Sequence, residues 1–140
     1  MSEIKSKFQN IREKLNSYII KNTHSENELI NQAVNKLVNA GGKRLRPLFL
    51  ILAGKSGNFA ANDSRLFKIA AALEMLHMAT LVHDDIIDKA ELRRNNLTTN
   101  RKYGQNVAVF VGDFLYNRAY NLSHQNLSSK SLLRLNQTEK

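Results

Sequence analysis

Residues 66–88 form the longest apolar stretch in the chain, and that stretch closes on a cluster of acids. Ile69, Ala70, Ala72, Leu73, Leu76, Ala79, Thr80 and Val82 keep a helical period through it, and their small average size suits close packing against other helices. The stretch therefore reads as the core helix of an all-α fold. One Pro in 140 residues and 7% aromatics agree with helices better than with a β-sandwich.

Further helices flank it. Phe8, Ile11, Leu15 and Tyr18 recur at intervals of three and four after Ile4, one stripe of an amphipathic helix. Turn formers and candidate N-caps follow in residues 22–27, and the period resumes at Leu29-Ile30, Ala33-Val34 and Leu37-Val38. Gly41-Gly42 should stop that helix, and the next should begin just inside Pro47. Residues 47–53 are apolar on nearly all sides and read as a buried helix ending near Gly54 or Gly57, with a strand as the alternative for so short a run. Residues 58–64 read as a loop with Asp63 or Ser64 as N-cap. Residues 93–105 read as a basic connection, and 107–122 as a last apolar helix. Residues 1–122 are thus the first part of a single helical domain, and 123–140 a polar tail or weakly held helix.

With 21 Lys plus Arg against 12 Asp plus Glu, the net charge is +9, so the partner should be anionic. The absence of Cys excludes disulfides, thiolate metal sites and a cysteine nucleophile. The start lacks a signal-peptide core, and charged residues break the apolar runs, so a cytoplasmic chain without a transmembrane segment is expected.

Asp84 and Asp88 lie four residues apart, on one helix face, with Asp85 about 100° away. Two like charges at the C-terminal half of a helix cost stability unless a cation binds, and Mg²⁺ suits hard carboxylate oxygens combined with phosphate oxygens. His77 lies two turns earlier on the same stripe, where it could reach a ligand held below the carboxylates. Lys43, Arg44 and Arg46 on one side and Arg93-Arg94 on the other complete an inventory for diphosphates.

The segments Gly41-Gly42-Lys43-Arg44-Leu45-Arg46-Pro47, Leu73 through Asp88, and Glu91-Leu92-Arg93-Arg94 together resemble the trans-isoprenyl (polyprenyl) diphosphate synthases, with wording nearest the long-chain bacterial heptaprenyl and octaprenyl type. The resemblance covers residues 40–122. It implies an antiparallel helical bundle of the isoprenoid synthase type, truncated to its N-terminal helices, and a prenyltransferase joining isopentenyl diphosphate to an allylic diphosphate. It makes Asp84 and Asp88 the catalytic Mg²⁺ ligands. Lys43, Arg46, His77 and Arg94 become the isopentenyl diphosphate site, and Arg93 a contact to the allylic diphosphate. Ala79 and Thr80, small and one turn below Asp84, would let a long product pass. It also implies a homodimer or a partnership with a second, smaller subunit, no nucleic acid, and at most peripheral membrane contact through the product.

Other residues carry blander expectations. Arg44 should face solvent, Asp113 should make a buried polar contact or cap a helix, and His83 should make a supporting hydrogen bond. Lys89, Arg101 and Lys102 should be surface charge, and Tyr103, Tyr116 and Tyr120 packing residues. The family's second aspartate-rich motif has no counterpart after Asp88, so a fragment inactive by itself is expected. Two alternatives stand beside this reading: a non-catalytic basic helical binding module or subunit fragment, and a metal-dependent His83-Asp84 phosphohydrolase, which would leave the Gly41–Pro47 segment unexplained.

Overall fold

In the computed structural model, residues 2–57, 64–128 and 131 are described, with side chains from residue 6 onward. Helix α1 (Ser2–Asn22) buries Leu15 of the predicted stripe and also Ile19, which lay outside it; Tyr18 is half-buried and Phe8 is exposed. Helix α2 (Glu28–Asn39) is capped by Asn27, whose side chain accepts from the Leu29 amide at 2.9 Å. It buries Ile30, Ala33, Val34 and Val38. Gly41, at φ +80°, carries the chain out of α2 in the left-handed conformation that ends helices.

Helix α3 (Leu45–Ser56) starts two residues earlier than expected, because Pro47 is tolerated anywhere in a first turn whose N–H groups have no intrahelical partner. It is also not buried on all sides. Pro47, Leu48 and Ile51 face inward, whereas Leu45, Phe49 and Leu52 are exposed, Phe49 to 67%. Of the expected loop at 58–64, residues 58–63 lie outside the described residues, and Ser64 is already the first residue of the next helix. Helix α4 (Ser64–Ile87) is the central element, with residues from Leu66 to Asp85 buried on several faces. By length and composition alone α4 could cross a membrane, contrary to the expectation from its charges; half of that stretch is buried inside this fold.

The connection after α4 is more structured than its composition suggests. The Lys89 amide donates to Ile86 O and the Ala90 amide to Asp85 O, closing α4 in a Schellman motif with Lys89 at φ 51°. A minimal hairpin follows, β1 (Leu92–Arg93) antiparallel to β2 (Asn96–Leu97), with Leu92 opposite Leu97. Its two turn residues, Arg94 and Asn95, both have positive φ, the signature of a type I′ turn. Short helix α5 (Thr99–Tyr103) is capped by Thr98, and Gly104 at φ +88° separates it from α6 (Gln105–Asn126). Of the expected tail, residues 129, 130 and 132–140 lie outside the described residues.

The core joins Leu15 and Ile19 of α1, the inner face of α2, Ala71, Met75, Met78 and Ala79 of α4, and Val111, Leu115 and Ala119 of α6. Helices α4 and α6 are the most extensively packed pair. Gly112 permits their approach, since a Cβ there would overlap the ring of His83. Gly112→Ala should therefore lower stability by about 1–3 kcal/mol in urea unfolding, the usual cost of overpacking. An unchanged midpoint would show that the helices tolerate a wider spacing.

Candidate functional site

The loop between α2 and α3, the inward face of α4 and the hairpin surround one cleft of about 670 Å³. Helix α4 contributes Glu74, His77, Met78, Leu81 and Asp85, spaced so that they share one side of the helix. The loop contributes Gly41 to Arg44, the first turn of α3 Leu45 and Arg46, and the hairpin Arg93 and Arg94. Lys43, Arg46, His77 and Arg94 thus meet in one place, although they come from three separate segments of the chain. Arg12 and Lys36 also line the cleft; nothing local in the sequence set them apart from other surface charges.

Three guanidinium groups organise this wall. Arg44 does not face solvent: it is 7% exposed, and its Nη1 pairs with Glu74 Oε1 at 2.6 Å. The Arg93 Nε donates to both carboxylate oxygens of Asp85, at 2.8 and 3.1 Å, and its Nη2 lies 2.7 Å from Oδ1. That bond is the main reason the Arg93 pKa is raised, with Asp84 and Asp88 adding smaller contributions, so Arg93 sits within the field of all three aspartates. Arg94 donates to the Gly41 carbonyl, tying the hairpin tip to the loop. Lys36 Nζ ties the hairpin to α2 through Leu97 O at 2.5 Å. Partial burial lowers the Lys36 pKa, and Lys102 lowers it further.

Asp85, not Asp84, lines the cleft. Asp84 and Asp88 are exposed, and among the described residues neither carboxylate has a hydrogen-bond or ion-pair partner, so both are available to a cation. Among the described residues no cluster of three or more metal-ligating side chains occurs. Ala79 is 1% exposed within the core and not on the cleft wall. Thr80 is exposed, and its hydroxyl donates to the His77 carbonyl at 2.8 Å.

His83 makes the expected supporting contact, its Nε2 lying 3.3 Å from Asp113 Oδ1. Asp113, however, is 70% exposed at its side chain, so it is neither a buried contact nor a cap. It is exposed on α6, and among the described residues His83 is its ion-pair partner. Tyr103 packs partly against the core, with Lys102 Nζ 4.9 Å from its ring centroid, while Tyr116 and Tyr120 are about half exposed. Lys89, Arg101 and Lys102 are surface residues as expected.

Comparison with known proteins decides what this arrangement belongs to. The polyprenyl synthetase family profile matches residues 27–139. The chain belongs to the polyprenyl synthetase family. It is 39% identical over 108 residues to the octaprenyl diphosphate synthase of Escherichia coli (strain K12), covering 77% of this chain and 33% of that protein. It is 44% identical over 91 residues to heptaprenyl diphosphate synthase component 2 of Bacillus subtilis (strain 168), covering 65% and 26%. Among solved structures, the heptaprenyl diphosphate synthase of Staphylococcus aureus superposes with a TM-score of 0.87 at 33% identity, over 93% of this chain and 41% of that one. A polyprenyl synthase from Caulobacter crescentus CB15, complexed with calcium and isoprenyl diphosphate, gives 0.82 at 35% identity over 92% and 39%. The polyprenyl synthetase chain thus spans about a third of the length of the curated relatives it matches, and its fold is that of the helical isoprenoid synthases.

Family membership counts against the His83-Asp84 phosphohydrolase reading, in which the Gly41–Pro47 segment has no place, and His83 is turned toward Asp113.

His77 offers the most direct test of the local electrostatics. Arg46 Nη1 donates to its Nε2 at 3.0 Å, which leaves Nδ1 to carry the proton of the neutral ring. Partial burial lowers the His77 pKa, and Arg46, Arg44 and Arg93 lower it further against an opposing pull from Glu74. Its folded value lies below that of the unfolded chain, so below about pH 6.5 the unfolded state binds the extra proton and stability falls as pH drops through the folded value. NMR titration should place the His77 imidazole below 6.5, and His77→Gln should flatten this part of the pH–stability profile. A midpoint above 6.5 would contradict the cation-rich surroundings.

Proposed function

We propose that the cleft is the isopentenyl diphosphate half of a prenyltransferase site, and that the acidic end of α4 opens the allylic half. The observation that carries this reading is the convergence of Lys43, Arg46, His77 and Arg94 on one cleft. Of the cations lining it, Arg44 and Arg93 are neutralised by Glu74 and Asp85, while Arg12, Lys36, Lys43, Arg46 and Arg94 have no carboxylate partner among the described residues. Such a wall favours a small dianionic or trianionic group, and Arg offers it bidentate hydrogen bonds. Met78, Leu81 and Leu37 supply an apolar wall for a short hydrocarbon.

Asp84 and Asp88 fit a Mg²⁺ site: two exposed, unpartnered carboxylates one helical turn apart, a donor set that Mg²⁺ completes with water and phosphate oxygens. Bound there, the ion would supply charge neutralisation of a departing diphosphate. Arg93, held by Asp85 and within the field of Asp84 and Asp88, would bind the same diphosphate from the hairpin side. Lys43, Arg46 and Arg94 would orient isopentenyl diphosphate, so that its double bond attacks the allylic cation left behind and the resulting tertiary cation loses a proton, with the departed diphosphate as the base.

The names of the octaprenyl and heptaprenyl relatives support a long-chain polyprenyl diphosphate as product. Ala79 and Thr80 remain the proposed chain-length positions, acting through the packing and surface of α4. The calcium and isoprenyl diphosphate of the Caulobacter structure support a divalent cation and an isoprenoid diphosphate as ligands. The "component 2" of the Bacillus relative supports assembly with a second, different chain; a homodimer is the other arrangement proposed.

Isothermal titration tests the proposal. Isopentenyl diphosphate should bind the chain, and Lys43→Ala or Arg46→Ala should each weaken it tenfold or more, the worth of about 1.5–3 kcal/mol for a charge-assisted hydrogen bond. Lys102→Ala should leave the affinity unchanged. An allylic diphosphate should bind with Mg²⁺, and the Asp84→Ala, Asp88→Ala double variant should lose the Mg²⁺ dependence. Salt-sensitive retention on DNA without diphosphate binding would overturn the reading.

A further inference from the structure

Arg44 is the residue whose place departs furthest from its sequence context. It lies between Lys43 and Arg46 in a run of exposed cations, yet it is buried, and its guanidinium reaches three other helices. Nε donates to Asn16 Oδ1 of α1 at 3.1 Å, Nη1 to Glu74 Oε1 of α4 at 2.6 Å, and Nη2 to the Val38 carbonyl of α2 at 2.8 Å. Its backbone is the N-cap of α3, in the left-handed region at φ 49°, ψ 39°, and its side chain makes no capping bond. An L-residue other than Gly, Asn or Asp seldom takes that conformation, so the side-chain bonds must offset its cost. Gly42 packs between two guanidinium groups: a Cβ there would lie 3.1 Å from Arg94 Nη1 and 3.6 Å from Arg44 Nη1.

We propose that Arg44 is a positioning residue for the diphosphate cleft, the buried Arg44–Glu74 pair setting the direction in which α3 leaves the loop and hence where Lys43 and Arg46 present their charges. The proposal rests on the reading of the cleft given above, but it makes a claim of its own: Arg44 touches no ligand and acts through its neighbours. The contact it controls most directly is Arg46 to His77. Arg46 lies two residues into the helix that Arg44 caps, and His77 lies one turn after Glu74, so both ends of that contact hang on the same pair. A lysine at position 44 keeps the charge but cannot hold three acceptors in a planar fork. With Lys, the helix start is free to shift while Glu74 keeps a cationic neighbour.

The test compares the full chain with Arg44→Lys and Glu74→Gln, using three measurements: His77 titration by NMR, affinity for isopentenyl diphosphate, and thermal unfolding. The cations and acid facing His77 are Arg46, Arg44, Arg93 and Glu74, and Arg44→Lys preserves all of their charges. In Arg44→Lys, the His77 midpoint should rise toward 6.5 as Arg46 moves away. Affinity should fall tenfold or more, with the unfolding midpoint within a few degrees of the parent. Glu74→Gln should weaken affinity less, because an amide oxygen still accepts from Arg44. Unchanged His77 titration and affinity in Arg44→Lys would overturn the proposal, as would losses that only track the unfolded fraction. If the parent chain binds no diphosphate, the functional reading fails, and the His77 midpoint alone decides whether Arg44 positions Arg46.

Discussion

Gathering cations around one cleft costs Coulomb energy, and the rest of the structure is arranged around that cost. Seven Lys and Arg residues line the cleft against two acids, Glu74 and Asp85. Each acid is nearly inaccessible and spent on a single guanidinium, at 2.6 Å for Arg44 and 2.7 Å for Arg93. Both acids project from α4, so the central helix pairs with Arg44 and Arg93 and leaves the other five cations without a carboxylate partner among the described residues. Burying an ion pair is seldom stabilising by itself, because desolvation takes back much of the attraction. Here each pair instead fixes the direction of a neighbouring segment: the loop into α3 by Arg44, and the hairpin by Arg93.

The backbone shows the same pressure. Arg44, Arg94 and Asn95 take positive φ without being glycine, and all three lie in the loop or hairpin that forms the cleft wall. Conformations of this kind cost on the order of 1 kcal/mol or more each and persist where surrounding contacts over-determine them. Arg94 has such contacts through Gly41 O, and the hairpin as a whole through Lys36 and Thr98. A glycine or asparagine at position 94 would relax the turn and remove a cation from the cleft.

Much of this was legible in the sequence. The 3.6-residue period located the helices, because each buries a continuous stripe and periodicity reports burial directly. A helical wheel also separated Asp85 from Asp84 and Asp88, which is how the fold uses them: one carboxylate inward against Arg93, two outward and free. The inward turn of Arg44 was not legible. Nothing local distinguishes it from Lys43 and Arg46; its partner stands thirty residues away, and only tertiary packing brings the two together. The hairpin escaped notice for another reason, since strands of two residues are too short to show alternation, and its turn uses Arg-Asn where Asn-Gly would have announced it. The outer face of α3 misled in the opposite direction, because a run of apolar residues does not say how many of its sides have a neighbour.

Helix α4 also acts as a ruler. His77 and Asp84 are seven residues apart on a continuous helix, which separates them by about 10 Å along the axis and returns them to nearly the same bearing. The distance between the two halves of the site is therefore written in a residue count and not in adjustable loops. One extra residue between positions 77 and 84 would swing the outward carboxylates by about 100° against the cleft while shifting them only about 1.5 Å. Drift in length is thus more damaging to this helix than drift in composition, and insertions should be far rarer here than substitutions.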